Sequence, residues 1–398
     1  MTLHPRPAND IPLRVLHISG RSDHGGGPEH ILQVIDADMP GIQHFIACPQ
    51  HGVYWQRYRQ QLDDTHLCAI PHRSLSLSSF FRLRKFAKKM GIQIIHSHGT
   101  CAGISSRLVG LSLGLPVAHS FHGVPVTKSV KHHLYCLSEH LLGRMTDCAI
   151  AVSVGEADLA HRRWRHYRGK LAVVPNGISL SVTAPIWTPW PTYEPIRIVS
   201  FNRNNYQKNP ELLIEIARIL CLQGVNFRID AYGEGLQHPQ LLATAVRRGV
   251  SERLFFHPPT DTPAQALNGA SIYLSTSRWE GMPLAVLEAW QAGLVVVASD
   301  VVGNRDLVKD GHSGLLFPCG NGRSAARLIR DLKDDPTRAE TIRKQAAQHG
   351  KNDHSHSLMA MRLEWLYRNL VNPTDAPDTV VPNPARIGSI GTFRLESP

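Results

Sequence analysis

Short apolar runs of strand type alternate with stretches of helical period along this chain, and that alternation admits few folds. In the first half the strand-like runs are Leu13–Ser19, His44–Cys48, Ile92–Gly99, Pro116–Gly123, Cys148–Ser153 and Leu171–Ile178. Helical period marks Tyr54–Leu62, Ser76–Met90, Ala102–Leu113 and Lys131–Arg144 between them. A second series follows, with strands expected at Arg197–Asn202, Phe227–Gly235, Leu254–Pro259, Ser271–Ser275 and over LVVVA. Strands separated by helices and short loops predict doubly wound parallel sheets, whose ligands sit at the carboxyl ends of the strands. At 398 residues the chain is too long for one ordinary core. Its 42% hydrophobic content can fill two.

The expected division is an N-terminal domain over 1–183, a linker over 184–195, and a C-terminal domain over 196–370 whose last helix is long enough to cross back to the first domain. The linker is assigned from SVTAPIWTPWPTYEP, rich in proline and aromatics and without strand or helix period. The tail 371–398 carries Pro373, Pro377, Pro382 and Pro384 with little apolar period and reads as disordered.

The most informative stretch runs from Ser275 to Asp300. Pro283 suits a first helical residue, Leu284, Leu287 and Trp290 repeat at helical spacing, and Gly293 ends the helix. The helix N-terminus then points at the loop Trp279–Met282 and offers a seat for a phosphate. Glu280 lies just before the helix and Glu288 inside it. Beside a bound diphosphate such acids would be repelled unless they accepted hydrogen bonds from sugar hydroxyls, which a nucleotide sugar offers on both rings. On spacing alone, ordinary solvated charge explains them equally well.

Other stretches point the same way. IRIVSFNRNNYQKNPELL places Arg203 and Lys208 in a polar loop between a strand and a helix opened by Pro210, whose Leu213, Ile216, Ala217 and Leu220 face the core. GRSDHGGGPEH follows the first strand, and Pro28 is expected to open the next helix. That glycine loop lacks the G-x-G-x-x-G spacing of a nicotinamide site. His98 and His122 stand at strand ends; His96 and His119 read as packed on the strands.

The net charge of +11 gathers in the first half, at Arg82, Arg84, Lys85, Lys88 and Lys89, then Lys128, Lys131, His132 and His133, then Arg162, Arg163, Arg165, Arg168 and Lys170. Contact with anionic headgroups and a solvated basic surface explain this equally; no nucleic-acid recognition motif accompanies the charge. No apolar run approaches the ~20 residues of a membrane span. MTLHPRPANDIPL has no basic n-region or apolar h-region, so no signal peptide is read. Seven scattered cysteines without a C-x-x-C pair read as buried thiols in a reducing cytosol.

The Glu-x7-Glu spacing of Glu280 and Glu288, the words GMPL and VVASDVVGNRDLVKDGHSGLLFP, and the neighbouring Arg203 and Lys208 together resemble the donor site of the retaining GT-B glycosyltransferases. This is the large group 1 family of sucrose synthase and bacterial polysaccharide-assembly enzymes. The resemblance is strong over about Val199 to Pro318. It implies an α/β GT-B fold, two Rossmann-like doubly wound domains facing across a cleft. PNGI at Pro175–Ile178 resembles the word that closes the family's first domain.

The resemblance also assigns roles. Gly26 and Gly27, with Glu29, match a glycine loop lining the cleft, and HSFHG gives His122 a place near the transferring sugar. Arg203, Lys208 and the segment Gly281, Met282, Pro283, Leu284 would hold the donor diphosphate, Glu280 the hexose hydroxyls, and Glu288 the ribose. The family's glycines beside the arginine and lysine are Asn202 and Asn209 here, which leaves the loop shape open. No metal and no cofactor are implied. The one D-x-D triplet, Asp36-Ala37-Asp38, falls in the last turn of the first helix, away from any strand end.

The expected function is transfer, with retention, of a hexose from a nucleotide diphosphate sugar. The acceptor would be a saccharide or lipid-diphosphate-linked saccharide in surface glycan assembly, in the cytoplasm or peripheral on the membrane's inner face. Two alternatives from other classes are a sugar-nucleotide epimerase and a catalytically silent partner subunit. The epimerase lacks a second motif for abstracting a ring proton. The silent subunit has no need for Arg203, Lys208, Glu280 and Glu288 together.

Overall fold

The computed structural model describes residues 11–72, 76–126, 130–179, 190 and 195–372. They form two compact units. The first takes the described residues of 1–122, 127–174 and 359–398, and the second those of 123–126 and 175–358. The tail from 373 and nearly all of the expected linker lie outside the described residues.

The first unit runs β1 (Leu13–Ser19), α1 (Gly26–Asp36), β2 (Ile42–Cys48), α2 (Val53–Gln61), β3 (Leu67–Ala69), α3 (Leu77–Met90) and β4 (Ile94–His98). It continues with α4 (Thr100–Leu113), β5 (Val117–Ser120), α5 (Val130–Leu142), β6 (Cys148–Ala151), α6 (Val154–Arg163) and β7 (Leu171–Val173). The seven strands are parallel in the order β3-β2-β1-β4-β5-β6-β7. Strand side chains alternate between faces. Leu16, Ile18, Ile95 and Val117 bury one face against Leu83, Ala87 and Val109 of α3 and α4. Val15, Ile94, Ala118 and Ile150 bury the other against Val34 of α1 and against Met359, Leu363 and Tyr367 near the chain's end. Covering both faces explains why these strands read as unbroken apolar runs.

The second unit runs β8 (Ile196–Phe201), α7 (Glu211–Leu222), β9 (Phe227–Tyr232), α8 (Pro239–Arg247), β10 (Leu254–His257), α9 (Pro263–Leu267), β11 (Ile272–Ser275) and α10 (Leu284–Gln291). Then come β12 (Val295–Asp300), α11 (Asn304–Leu307), β13 (Leu315–Pro318), α12 (Gly322–Asp334), α13 (Pro336–Asp353) and α14 (His356–Val371), which carries the chain into the first unit at Met359. Six parallel strands lie in the order β10-β9-β8-β11-β12-β13. Leu213, Ile216, Ala217 and Leu220 of α7 are fully buried in this core. The fold is therefore α/β with two Rossmann-like units. In each, strand order reverses about one strand pair, β1 and β4 in the first and β8 and β11 in the second. Ligands of such sheets collect outside the carboxyl ends at that reversal.

Several details correct the sequence reading. Helix α1 begins at Gly26, so Pro28 is its third residue. Pro283 is the cap before α10 and keeps an extended ψ of 115°. Helices α6, α8 and α9 go beyond the elements read from the sequence. Of the seven cysteines only Cys48, Cys68 and Cys148 are buried; Cys221 and Cys319 are exposed. The membrane expectation stands in this limited form: among the described residues no helix is long and apolar enough to cross a bilayer.

Candidate active site

In the second unit the loops after β8 and β11 meet. Lys208 donates from Nζ to Oε1 of Glu280 at 2.5 Å, and Ser277 Oγ donates to the same oxygen at 2.6 Å. Glu280 is 8% exposed, and in this nearly dry place a cation and a hydroxyl both face its carboxylate. Its own N–H donates to the Val302 carbonyl at 3.1 Å. The same two loops are laced by Arg278 N–H to the Gln207 carbonyl at 2.7 Å, and by Gln207 Nε2 to the Trp279 carbonyl at 3.0 Å. Arg278 also lies over the Tyr206 ring, 4.1 Å from its centroid.

Two backbone positions let this happen. Asn209 holds φ at +53°, the left-handed region, immediately after Lys208. Among non-glycine residues asparagine is one of the few that adopt it readily, so the chain makes this turn without glycine. Gly303 has φ +88°, and a Cβ there would lie 2.5 Å from the Gly281 carbonyl oxygen and 2.8 Å from the Glu280 carbonyl carbon. Only glycine lets the loop after β12 touch Glu280 and Gly281. Asn202 is a buried strand-end residue whose Nδ2 donates to Thr276 Oγ1 at 3.1 Å and whose Oδ1 accepts the Arg203 N–H at 3.0 Å.

Helix α10 starts at Leu284 and places its N-terminal end beside this pair. Gly281 and Met282 are buried, and Asn176 of the PNGI word donates from Nδ2 to the Met282 carbonyl at 2.8 Å. Glu288 is half-buried on α10. Burial, then the charges of Glu280 and Glu288, raise the Tyr273 hydroxyl above its usual range. Ser277, Asn176 and Gly303 went unnoticed in the sequence. Asn176 and Gly303 sit in quoted words, PNGI and VVGN, but nothing in the words says which loop they hold.

In the first unit, His98 ends β4 and His122 follows β5. Nδ1 of His98 and Nε2 of His122 are 3.0 Å apart, and His122 holds φ at +56°. Beyond His98 the contacts continue inward, His98 Nε2 to His17 Nδ1 at 3.2 Å and His17 Nε2 to His44 Nδ1 at 3.0 Å. Burial, then neighbouring imidazoles, pulls His98 and His122 well below the usual histidine range. His96 and His119 are indeed packed on their strands, His96 between Tyr367 OH at 2.6 Å and Ser120 Oγ at 2.8 Å, His119 against Ser97 Oγ at 2.9 Å. Gly26 and Gly27 form the first turn of α1, and a Cβ on either would meet nothing within 4 Å. Their glycine character is thus required neither by a turn nor by crowding within the unit. Glu29 instead turns toward α2, accepting from Tyr54 OH at 2.6 Å and facing Arg57 Nη1 at 3.4 Å.

The two units correspond to two family models. Residues 33–182 match Glycosyltransferase Family 4 and residues 191–349 match Glycosyl transferases group 1. The UDP-Gal:alpha-D-GlcNAc-diphosphoundecaprenol alpha-1,3-galactosyltransferase of Escherichia coli is 27% identical over 278 residues, covering 65% of this chain and 71% of that one. The D-inositol 3-phosphate glycosyltransferase of Streptomyces avermitilis is 25% identical over 343 residues, covering 78% and 71%. Among solved structures, Anabaena HepE in complex with UDP and glucose superposes with a TM-score of 0.76 at 15% identity, covering 88% of this chain and 98% of that one. Sucrose-phosphate synthase from Thermosynechococcus elongatus superposes with a TM-score of 0.73 at 20% identity, covering 90% and 99%. The chain is a glycosyltransferase of the GT-B fold, its second unit matched by the group 1 model and its first by the Family 4 model.

Proposed function

We propose that the chain is a retaining, metal-independent hexosyltransferase that moves a hexose from a nucleotide diphosphate sugar to a saccharide or lipid-diphosphate-linked saccharide in surface glycan assembly. The observation that carries this reading is the Lys208–Glu280 pair at the carboxyl ends of β8 and β11, beside the N-terminus of α10. As the glycosidic bond breaks, negative charge grows on the departing diphosphate. Arg203, Lys208 and the backbone from Gly281 to Leu284 supply positive charge and N–H dipoles to stabilise it. Glu280 accepts from hexose hydroxyls, Glu288 from the ribose, and the family motif gives His122 the transferring sugar as its partner. The E. coli relative's name specifies a UDP-Gal donor and a diphosphoundecaprenol-linked acceptor, and a related structure holds UDP-glucose; both support a UDP-hexose donor, and the first a lipid-diphosphate acceptor.

The acceptor side is supported by a pocket of the first unit whose lining includes Ser22, Asp23, His51, His72 and Arg82. Peripheral attachment at the cytoplasmic membrane face is supported by exposed Leu77 and Phe81 of α3, Leu108 and Leu111 of α4, and Leu134, Leu137 and Leu141 of α5. Exposed Arg82, Lys85, Lys88 and Lys89 stand with them on α3. Apolar side chains among bases suit an anionic bilayer surface.

The test is saturation-transfer NMR of the purified protein with UDP-glucose, UDP-galactose, UDP-N-acetylglucosamine, GDP-mannose, UDP and GDP. Binding of one nucleotide sugar, lost in Arg203→Ala and Glu288→Ala, supports the reading. A folded protein that binds none of them is instead a silent partner.

A further inference from the structure

We propose that the first unit binds a divalent transition-metal ion of the zinc class through His30, His98 and His122. One nitrogen from each of these three imidazoles lies within 4.8 Å of the other two. His30 comes from α1, His98 from the end of β4 and His122 from the loop after β5, three segments brought together by the sheet. One pair, His98 Nδ1 and His122 Nε2 at 3.0 Å, needs to open by only a few tenths of an ångström. Zn–N bonds of about 2.0–2.1 Å at tetrahedral angles put ligand nitrogens about 3.3 Å apart. The main chain turns His122 toward this point at a cost, since φ +56° is uncommon for a residue with a Cβ and such strain collects at functional positions.

The surroundings resemble the outer shell of a metal centre. Metal-bound histidines usually hold their second nitrogen in a hydrogen bond that fixes ring and tautomer. Nε2 of His98 meets His17 Nδ1 at 3.2 Å, and His17 Nε2 meets His44 Nδ1 at 3.0 Å. When His98 donates its Nε2 proton along that chain, its Nδ1 lone pair is free for the ion. Binding then moves protons between ring nitrogens and removes none from the imidazoles. A second trio, His17, His96 and His98, also falls within 4.8 Å. It is the poorer site, because both nitrogens of His96 are engaged by Tyr367 and Ser120 and all three rings are buried. His122 is only half-buried, which leaves a fourth position for water or a ligand.

An ion there would take the ring that the donor sugar needs, so it would act as an inhibitor of transfer rather than as a cofactor. That consequence rests on the proposed function; the binding itself does not. The experiment therefore reads the metal directly. Full-length protein stripped with chelator is titrated with Co2+ and followed by its visible d–d absorption, then by displacement with Zn2+. One equivalent is expected to bind, with the intense bands of a low-coordinate site. Affinity should fall by at least about 100-fold in His30→Gln and in His122→Gln, each with unchanged circular dichroism. His238→Gln, an exposed histidine on the other unit, should bind as the parent does. Absence of the bands in the parent, or bands and stoichiometry that persist in the His30→Gln/His122→Gln double variant, would overturn the proposal. Zinc that binds but leaves transfer untouched would count against the donor-side role of His122, not against the site.

Discussion

Lys208 and Glu280, separated by 72 residues in sequence, are bound to each other at 2.5 Å where the loops after β8 and β11 meet. Each is the residue that the other would leave as an uncompensated charge in a half-dry site. Under the proposed function, a donor diphosphate arriving there would compete with Glu280 for the Lys208 ammonium. Lys208→Ala should weaken UDP or GDP binding by roughly 10- to 150-fold, the equivalent of one charge-assisted hydrogen bond, read by calorimetry. Glu280→Gln should leave affinity for the free nucleoside diphosphate within about threefold while lowering turnover of the nucleotide sugar by roughly 100-fold or more. Equal losses for both ligands in Glu280→Gln would mean that this acid only positions Lys208.

The backbone behind Lys208 offers a cleaner comparison. At φ +53° Asn209 carries the left-handed strain that a glycine would not. Asn209→Ala should cost about 1–2 kcal/mol, a fall in melting temperature of about 2–8 °C for a unit of this size, whereas Asn209→Gly should stay within about 1 kcal/mol of the parent. Differential scanning fluorimetry separates the two. If alanine and glycine behave alike, the turn does not depend on that conformation.

Gly303 supports Glu280 from the other side. A methyl group there would lie 2.5 Å from the Gly281 carbonyl oxygen and would also have to hold φ +88°. Gly303→Ala should therefore push the Glu280–Gly281 segment away and abolish nucleotide-sugar binding in saturation-transfer NMR. The far-UV circular dichroism should be preserved. Retained binding would show that the segment can shift without consequence.

Legibility in the sequence followed distance along the chain. Two sheets were readable because each strand is a local apolar run, and the arms of the proposed donor site could be suggested because Arg203 with Lys208, and Glu280 with Glu288, lie within eight residues of each other. The loop shape near Asn209 stayed open because conformation, not residue type, decides it, and asparagine adopts what glycine adopts. Ser277, Asn176 and Gly303 were missed since each acts on a segment whose proximity only the folded unit creates. The imidazole cluster was hidden for the same reason: His17, His44 and His98 come from three strands, and the register that pairs His17 with His96 and Ser19 with His98 is a property of the sheet. Gly26 and Gly27 went the other way, read as a turn before a helix and found inside its first turn.

The first unit also buries an ion pair that the sequence did not reveal. Arg107 grips Glu139 with two nitrogens at 3.0 and 2.8 Å, and Tyr167 OH donates to the same carboxylate at 2.6 Å. Both charged side chains are essentially inaccessible. Removing one partner strands the other charge, so Glu139→Gln should cost about 3–5 kcal/mol. Paired replacement by Arg107→Met and Glu139→Leu should cost much less. Urea unfolding checks this, with Trp164, packed against Tyr167 at 6.2 Å between ring centroids, contributing this unit's part of the tryptophan fluorescence. A double variant as unstable as the single one would show that the pair contributes specific packing as well as charge.

Acid should weaken the first unit through its buried imidazoles, and His44 gives the clearest window. Burial lowers its pKa to about 4, from an unfolded value near 6.5. Above pH ~6.5 the ring is neutral in both states and contributes no pH dependence. Between about 6.5 and 4 the unfolded chain binds a proton that the folded unit refuses, so stability falls as pH falls. Each such group adds at most about 1.4 kcal/mol per pH unit to that slope. His17 faces His44 across 3.0 Å and is itself pulled well below the usual range by burial and by His44, which keeps the pair uncharged together. His44→Gln removes one titrating group while keeping a polar side chain toward His17. Its melting temperature should fall less steeply than the parent's between pH 6.5 and 4, whatever the offset at pH 7. Parallel slopes for the two proteins would mean that His44 stays neutral in the unfolded chain as well, or gains its proton without unfolding.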